Sequence, residues 1–282
     1  MFCTMNFGIF LFFQLPLTLI NADCIYQTRM EAIIIMNYRI EQLNPHTWLI
    51  EEYDDHASAY MYLLEGERAA LLIDTGFGTI PLKKICEELT TYPIIVALTH
   101  GHVDHIGGTG AFEKVWLDKE DEQLYHAHSE EKVRRIFTHD ELLPVKKECR
   151  FFTENMVFEL GARSVHVIKT PGHSIGSVCF WDEKNRWMFT GDTCCKAHVL
   201  LQMDYAATME TYRNSLEKLL SMGEMYDLTW PGHHSKPVEK YVIKDFLTAV
   251  NGILAGSMKG VEVQLPMGKA HLLEYREIGI EY

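Results

Sequence analysis

The chain has no Cys-x-x-Cys pair and an odd number of cysteines, seven, so no disulfide framework is legible and a reducing compartment fits. Basic residues are scarce. The 26 Lys and Arg against 39 Asp and Glu give a formal charge of −13, which argues against nucleic-acid backbones and anionic membranes as partners. Long hydrophobic runs are missing too. Gly8 to Ile20, an apolar stretch of 13 residues, is too short for an ordinary spanning helix, so no stable membrane insertion is expected. It has the length of a signal-peptide core, yet the first basic residue is Arg29 and Asn21-Ala22-Asp23-Cys24 is a poor cleavage site. Met30 and Met36 are sensible starts ahead of a first strand over Tyr38–Leu43. Residues 1–29 are therefore read as a leader or an upstream extension, and residues 30–282 as a single domain. A cytoplasmic location is expected, with export through an N-terminal signal as the alternative. There is no internal repeat and no low-complexity tract.

What is present is concentrated in one stretch, His100-Gly-His102-Val-Asp104-His105, directly after the apolar run Ile94–Thr99. That run reads as a buried strand, which would deliver three imidazoles and a carboxylate from a rigid element into a loop. Imidazole nitrogen and carboxylate oxygen are the donors that zinc and similar ions take. Four of them facing different ways point to two ions, or to one ion with an outer shell. Three further strand-like runs end in the same manner. Ser164–Lys169 leads to Pro171-Gly172-His173, Trp187–Thr190 to Gly191-Asp192, and Met225–Trp230 to Pro231-Gly232-His233. Glycine permits the close approach and unusual backbone angles of a loop wrapped round an ion. The pattern describes a site assembled along one edge of a sheet.

The set His100, His102, Asp104, His105, His173, Asp192 and His233 resembles the metallo-β-lactamase superfamily, and Leu72-Ile73-Asp74-Thr75-Gly76 resembles its first, supporting motif. The likeness runs over about residues 48 to 255 and keeps the order of all five motifs. It implies a four-layer αββα sandwich of α/β class. It also implies two divalent metal ions, zinc first, with iron or manganese as alternatives. By that resemblance His100, His102 and His173 hold one ion, Asp104, His105 and His233 the other, and Asp192 bridges them, with Asp74 orienting a ligand or its loop. Asp at 192 resembles the glyoxalase II and lactonase-like branch rather than true β-lactamases. His102, where flavodiiron proteins carry Glu, argues against those. The tail Val261–Tyr282 holds only Lys269 and Arg276 as basic residues and reads as strand and turn, which speaks against glutathione as carrier.

The implied function is hydrolysis of an ester, thioester or lactone in a small-molecule substrate by a metal-bound hydroxide, with Asp104 and Asp192 as the catalytic carboxylates. Alternatives are a mononuclear-iron persulfide dioxygenase, a β-lactam hydrolase, and a non-catalytic module that keeps its metals structurally. Self-association is left open. His234 and His198 are weaker candidates for contacts to substrate, while His46, His56, His166 and His271 read as structural or exposed. Cys194-Cys195 reads as buried thiols, with approach to the metals as the minority reading.

Elsewhere, Trp48–Ile50, Ala59–Glu65 and Arg68–Ile73 read as an antiparallel meander. A helix is expected from Pro81 to about Leu89, a second with Tyr212, Leu216, Leu219 and Leu220 on one face, and a third opened by Ser235 and Pro237. That third helix would present Val238, Tyr241, Val242, Leu247, Val250 and Leu254 along one side. The charged segment Asp118–Glu148 is read as a solvated helix pair, or as a wall of the metal pocket. Its His126, His128 and His139 are not counted as ligands.

Overall fold

Along the N-terminal strands, alternate residues enter two different cores. A computed structural model describes residues 37–282 except 55, 56, 139, 235, 266 and 267. The leader reading of residues 1–29 lies outside the described residues, as do His56, His139 and Ser235. Among the described residues the first sheet holds seven strands in chain order: β1 (Tyr38–Asn44), β2 (Thr47–Tyr53), β3 (Ser58–Glu65), β4 (Ala70–Ile73), β5 (Ile94–Ala97), β6 (Val115–Leu117) and β7 (Arg150–Phe151). Trp48, Ile50, Met61, Leu63 and Leu72 face one side and pack with Leu82, Ile85 and Cys86 of α1 (Leu82–Leu89). Leu49, Tyr60, Tyr62, Leu71 and Ile73 face the other. The two-residue period of a strand enforces this division.

The second sheet has the order β14-β13-β11-β10-β9-β8, from β8 (Val157–Glu159), β9 (Ser164–Lys169), β10 (Val178–Asp182), β11 (Trp187–Gly191), β13 (Leu228–Pro231) and β14 (Val238–Glu239). Val165, Val167, Phe180 and Phe189 meet the first sheet. Cys179 and Met188 point outward, onto α5 (Met209–Ser221) and α6 (Tyr241–Leu254). Helix, sheet, sheet, helix is the expected αββα order. Each fully buried Leu, Ile or Phe in these layers contributes about 1.5–3 kcal/mol.

A third sheet, β12-β17-β16-β15, was not anticipated as a separate layer. It comprises β12 (His198–Leu200), β15 (Val261–Leu265), β16 (Gly268–Tyr275) and β17 (Ile278–Glu281). The C-terminal helix also differs from expectation. Val238 and Glu239 pair with Thr229 and Leu228 as β14, and helix α6 opens only at Tyr241. Its buried face is Val242, Ile243, Phe246, Ala249 and Val250, whereas Tyr241 is exposed. Extending the helix back through residue 238 rotated the expected face. The charged segment does form a helix pair, α3 (Glu122–Ser129) and α4 (Glu131–Phe137), and α2 (Val103–Ile106) is a single turn. Among the described residues, no helix is long and apolar enough to cross a membrane.

Two parallel pairings position the site. β4 runs parallel to β5, and β11 parallel to β13, so their C-terminal ends emerge on one edge. β9 shares the direction of β11 because both run antiparallel to β10.

Candidate metal centre

The expected residues converge at that edge. His100 and His102 follow β5, His105 lies in α2, His173 follows β9, Asp192 caps β11 and His233 follows β13. Three groups of donors have atoms within 4.8 Å of one another: His100, His102 and His173; His100, His105 and Asp192; Asp104, His105 and His233. His100 Nε2 stands 3.0 Å and His173 Nε2 2.8 Å from His102 Nδ1. On the other side His105 Nε2 is 3.2 Å from His233 Nε2, and His233 Nε2 is 3.2 Å from Asp104. Asp192 lies between the two, 3.5 Å from His105, His173 and His233 alike. Gly232 permits this closeness, because a Cβ there would fall 2.7 Å from Asp192 Oδ1 and 2.8 Å from His105 Cε1.

Each imidazole but one is turned by an outward hydrogen bond. His173 Nδ1 donates to the Leu200 carbonyl at 2.9 Å, His233 Nδ1 to the Ser58 carbonyl, and His105 Nδ1 to Asp74 Oδ2 at 2.9 Å. Thr99 gives its hydroxyl proton to Asp74 at 2.8 Å, so its oxygen accepts from His100 Nδ1 at 3.0 Å. A neutral imidazole has one proton, and the outward bond takes it, so Nε2 faces in and becomes a bare donor once any second proton has left. His102 alone turns Nδ1 inward. His100 Nε2 and His173 Nε2 crowd His102 Nδ1 with at most the single proton of His102 among the three, and among the described residues Asp192 Oδ1 is buried with no hydrogen-bond partner. A divalent cation fits this donor set.

The electrostatics separate the two donor groups. Burial, helped by neighbouring imidazoles, holds His100 and His102 well below the ordinary histidine range, so both are neutral donors. Burial pulls His105 and His233 down as well, but carboxylates outweigh it. Asp74, Asp192 and Asp104 hold His105 well above its ordinary value, and Asp192 with Asp104 brings His233 up to about 9. Asp104 and Asp192 lie below the usual carboxylate range. Burial would raise both, and the imidazoles of His105 and His233 outweigh it.

A cleft of about 810 Å³ opens onto Asp104, His173, Asp192 and His233. Its walls include Tyr53, His198, Leu200 and His234. His198 is engaged by carboxylates, 3.0 Å from Glu281 and 4.0 Å from Glu274. Cys194 and Cys195 are buried thiols, and burial pushes Cys195 up to about 12. His46, His166 and His271 sit apart, against Glu65, Glu183 and Tyr282.

Sequence reasoning missed three contributors. The ring of His128 stacks on His102 with centroids 5.0 Å apart, and its Nδ1 accepts from Val103 N at 3.2 Å. Asp121 bonds both ligand loops. Glu52 accepts from the amides of Phe77, Gly78 and Thr79, fixing the loop that follows Asp74. Only the charge of segment 118–148 hinted at any of them, and that segment does border the site.

Residues 55–226 match the family model of the metallo-beta-lactamase superfamily. The chain belongs to that superfamily. Divalent metal binding follows from the fold, and the histidine-rich groups above are its candidate sites. Within the family, the chain is 25% identical to the acyl-coenzyme A thioesterase MBLAC2 of Gallus gallus, over 66% of this chain and 76% of the relative. It is 26% identical to a hydroxyacylglutathione hydrolase of Bdellovibrio bacteriovorus, over 52% of each. Among solved structures, a metallo-beta-lactamase from Pontibacter korlensis superposes with a TM-score of 0.61 at 16% identity, covering 76% of this chain and 99% of that one. These likenesses make the protein a hydrolase of the superfamily, with the αββα fold.

Proposed function

We propose that this protein is a two-metal hydrolase, zinc first among the candidate ions, that cleaves an ester or thioester bond, lactones included. The observation that carries the reading is the donor set itself. Seven side chains from four strand ends bring imidazole nitrogens and carboxylate oxygens together at one edge. The thioesterase and hydroxyacylglutathione hydrolase among the relatives support the bond type.

His100, His102 and His173 would hold one ion, Asp104, His105 and His233 the other, and Asp192 both. When bound, divalent ions polarise a carbonyl and bring the pKa of water from about 15.7 to roughly 7. The chain's own residues supply the rest. Asp74, Leu200 and Ser58 keep the imidazoles from turning. Asp104 is a carboxylate at neutral pH and faces the cleft, so its part in proton movement is to accept first and hand on to the leaving oxygen or sulfur afterward. Asp192 offsets the positive charge that draws a carbonyl oxygen into the cleft.

Metal analysis of the purified protein, with a panel of thioesters, esters, lactones and β-lactams, tests the reading. About two zinc-type ions per chain and ester or thioester hydrolysis abolished by a chelator are expected. One iron per chain with oxygen uptake would replace hydrolysis with a persulfide dioxygenase.

A further inference from the structure

Within the charged stretch between His105 and His173, Asp121 is a carboxylate with no exposure to solvent. Its Oδ2 accepts from the Gly101 amide at 2.9 Å and from the Ser174 hydroxyl at 2.7 Å, and its Oδ1 from the Gly176 amide at 2.7 Å. Gly101 separates His100 from His102, and Ser174 follows His173. One side chain therefore joins the two loops that carry the first donor group. The contact is close enough to require glycine at 176, where a Cβ would lie 2.6 Å from Asp121 Oδ1 and from its amide nitrogen. Ser177 Oγ, 2.8 Å from Ser174 Oγ, extends the network on the same side. The second donor group is held by different partners, Asp74 at His105 and the Ser58 carbonyl at His233.

We propose that Asp121 is a positioning residue for metal binding at His100, His102 and His173, setting the separation of their two loops, without a comparable hold on Asp104, His105 and His233. The inference rests on the metal-dependent reading above. Hydrogen bonds to an ionised carboxylate are shorter and about twice as strong as neutral ones, and a buried carboxylate that loses one cannot turn to water instead. Outer partners of metal ligands typically contribute about 10–100-fold in affinity. Asp121 acts one step further out, on the backbone either side of the ligands.

Cobalt(II) titration of metal-free protein, followed by visible absorption and calorimetry, tests this in two backgrounds. His233→Ala leaves the first donor group complete, and His173→Ala leaves the second. Asp121→Asn should weaken cobalt binding by about 10–100-fold in the first background and by less than about twofold in the second. Ser174→Ala removes one of the three bonds and should show the same selectivity with a smaller loss. It carries the test if Asp121→Asn does not fold, which far-ultraviolet circular dichroism reports. Equal weakening in both backgrounds, or none in the first, overturns the positioning role and leaves the metal-dependent reading intact. A parent chain that binds no cobalt overturns that reading and this inference together.

Discussion

Asp192 is the side chain on which both donor groups meet, 3.5 Å from His105, His173 and His233. His234, its neighbour across the cleft, contributes a ring to the wall and a backbone carbonyl to Tyr60. The two should respond differently to substitution. Asp192→Ala should lose at least one metal per chain and lower kcat/KM by more than about 100-fold, beyond what outer residues of metal sites cost. His234→Asn should keep full metal content and a measurable rate. Asn suits the φ of 67° at that position better than alanine does. Atomic absorption and the hydrolysis of an activated ester decide it. If Asp192→Ala keeps two metals while His234→Asn loses one, the bridge is misassigned. All seven candidate ligands were legible because each follows a strand-like run, most of them across a glycine. Asp121 was not. It stands beside Glu120 and Glu122, where an acid reads as one more solvated charge. Its burial is a tertiary fact with no local signature.

At the scale of elements, β2 shows how a strand can hold a loop it does not touch in sequence. Glu52 is buried, and burial raises its pKa above the ordinary 4.5 although four hydrogen bonds from residues 77–79 pull the other way. The folded state then binds that proton more tightly than the unfolded chain does. This contribution to stability is complete below about pH 4.5 and is lost as pH rises through the folded value. Glu52→Gln is uncharged at every pH and turns an amide toward donor groups, which should cost about 1–3 kcal/mol. Urea unfolding of both proteins across a pH series should show wild type ahead by most at low pH, with the margin narrowing toward neutrality. A margin independent of pH would mean that Glu52 titrates alike in the folded and unfolded states. Element boundaries followed their local signals where these were strong. Pro81 ahead of α1 and the glycines after the ligand strands served well. They failed at residues 237–240, where Pro237 suggested a helix start and the chain instead adds β14 to the sheet edge.

Across the whole molecule, strand alternation and helix stripes suggested only sheets inside and helices outside, and it was the motif resemblance that named the four-layer order. The small third sheet was not readable, since β12 and β17 are about eighty residues apart and their pairing is set by packing against α6. That sheet ties the metal centre to the far core. His173 is oriented by the carbonyl of Leu200, Leu200 lies in β12, and β12 pairs with β17 through Val199 opposite Ile280. Ile280 is fully buried and packs in the same cluster as Val199, Ile243 and Phe246. Truncating it to alanine should leave a cavity costing about 2–5 kcal/mol, and β12 would settle into the space. We expect Ile280→Ala to shed metal at temperatures where circular dichroism still reports a folded chain, and to recover activity in excess zinc. Zinc content measured alongside ellipticity on heating checks this, and loss of metal only at the unfolding midpoint would refute it. A map of this protein drawn from activity alone would thus mark a core isoleucine as part of the active centre, and only its rescue by added metal would tell it from a true ligand.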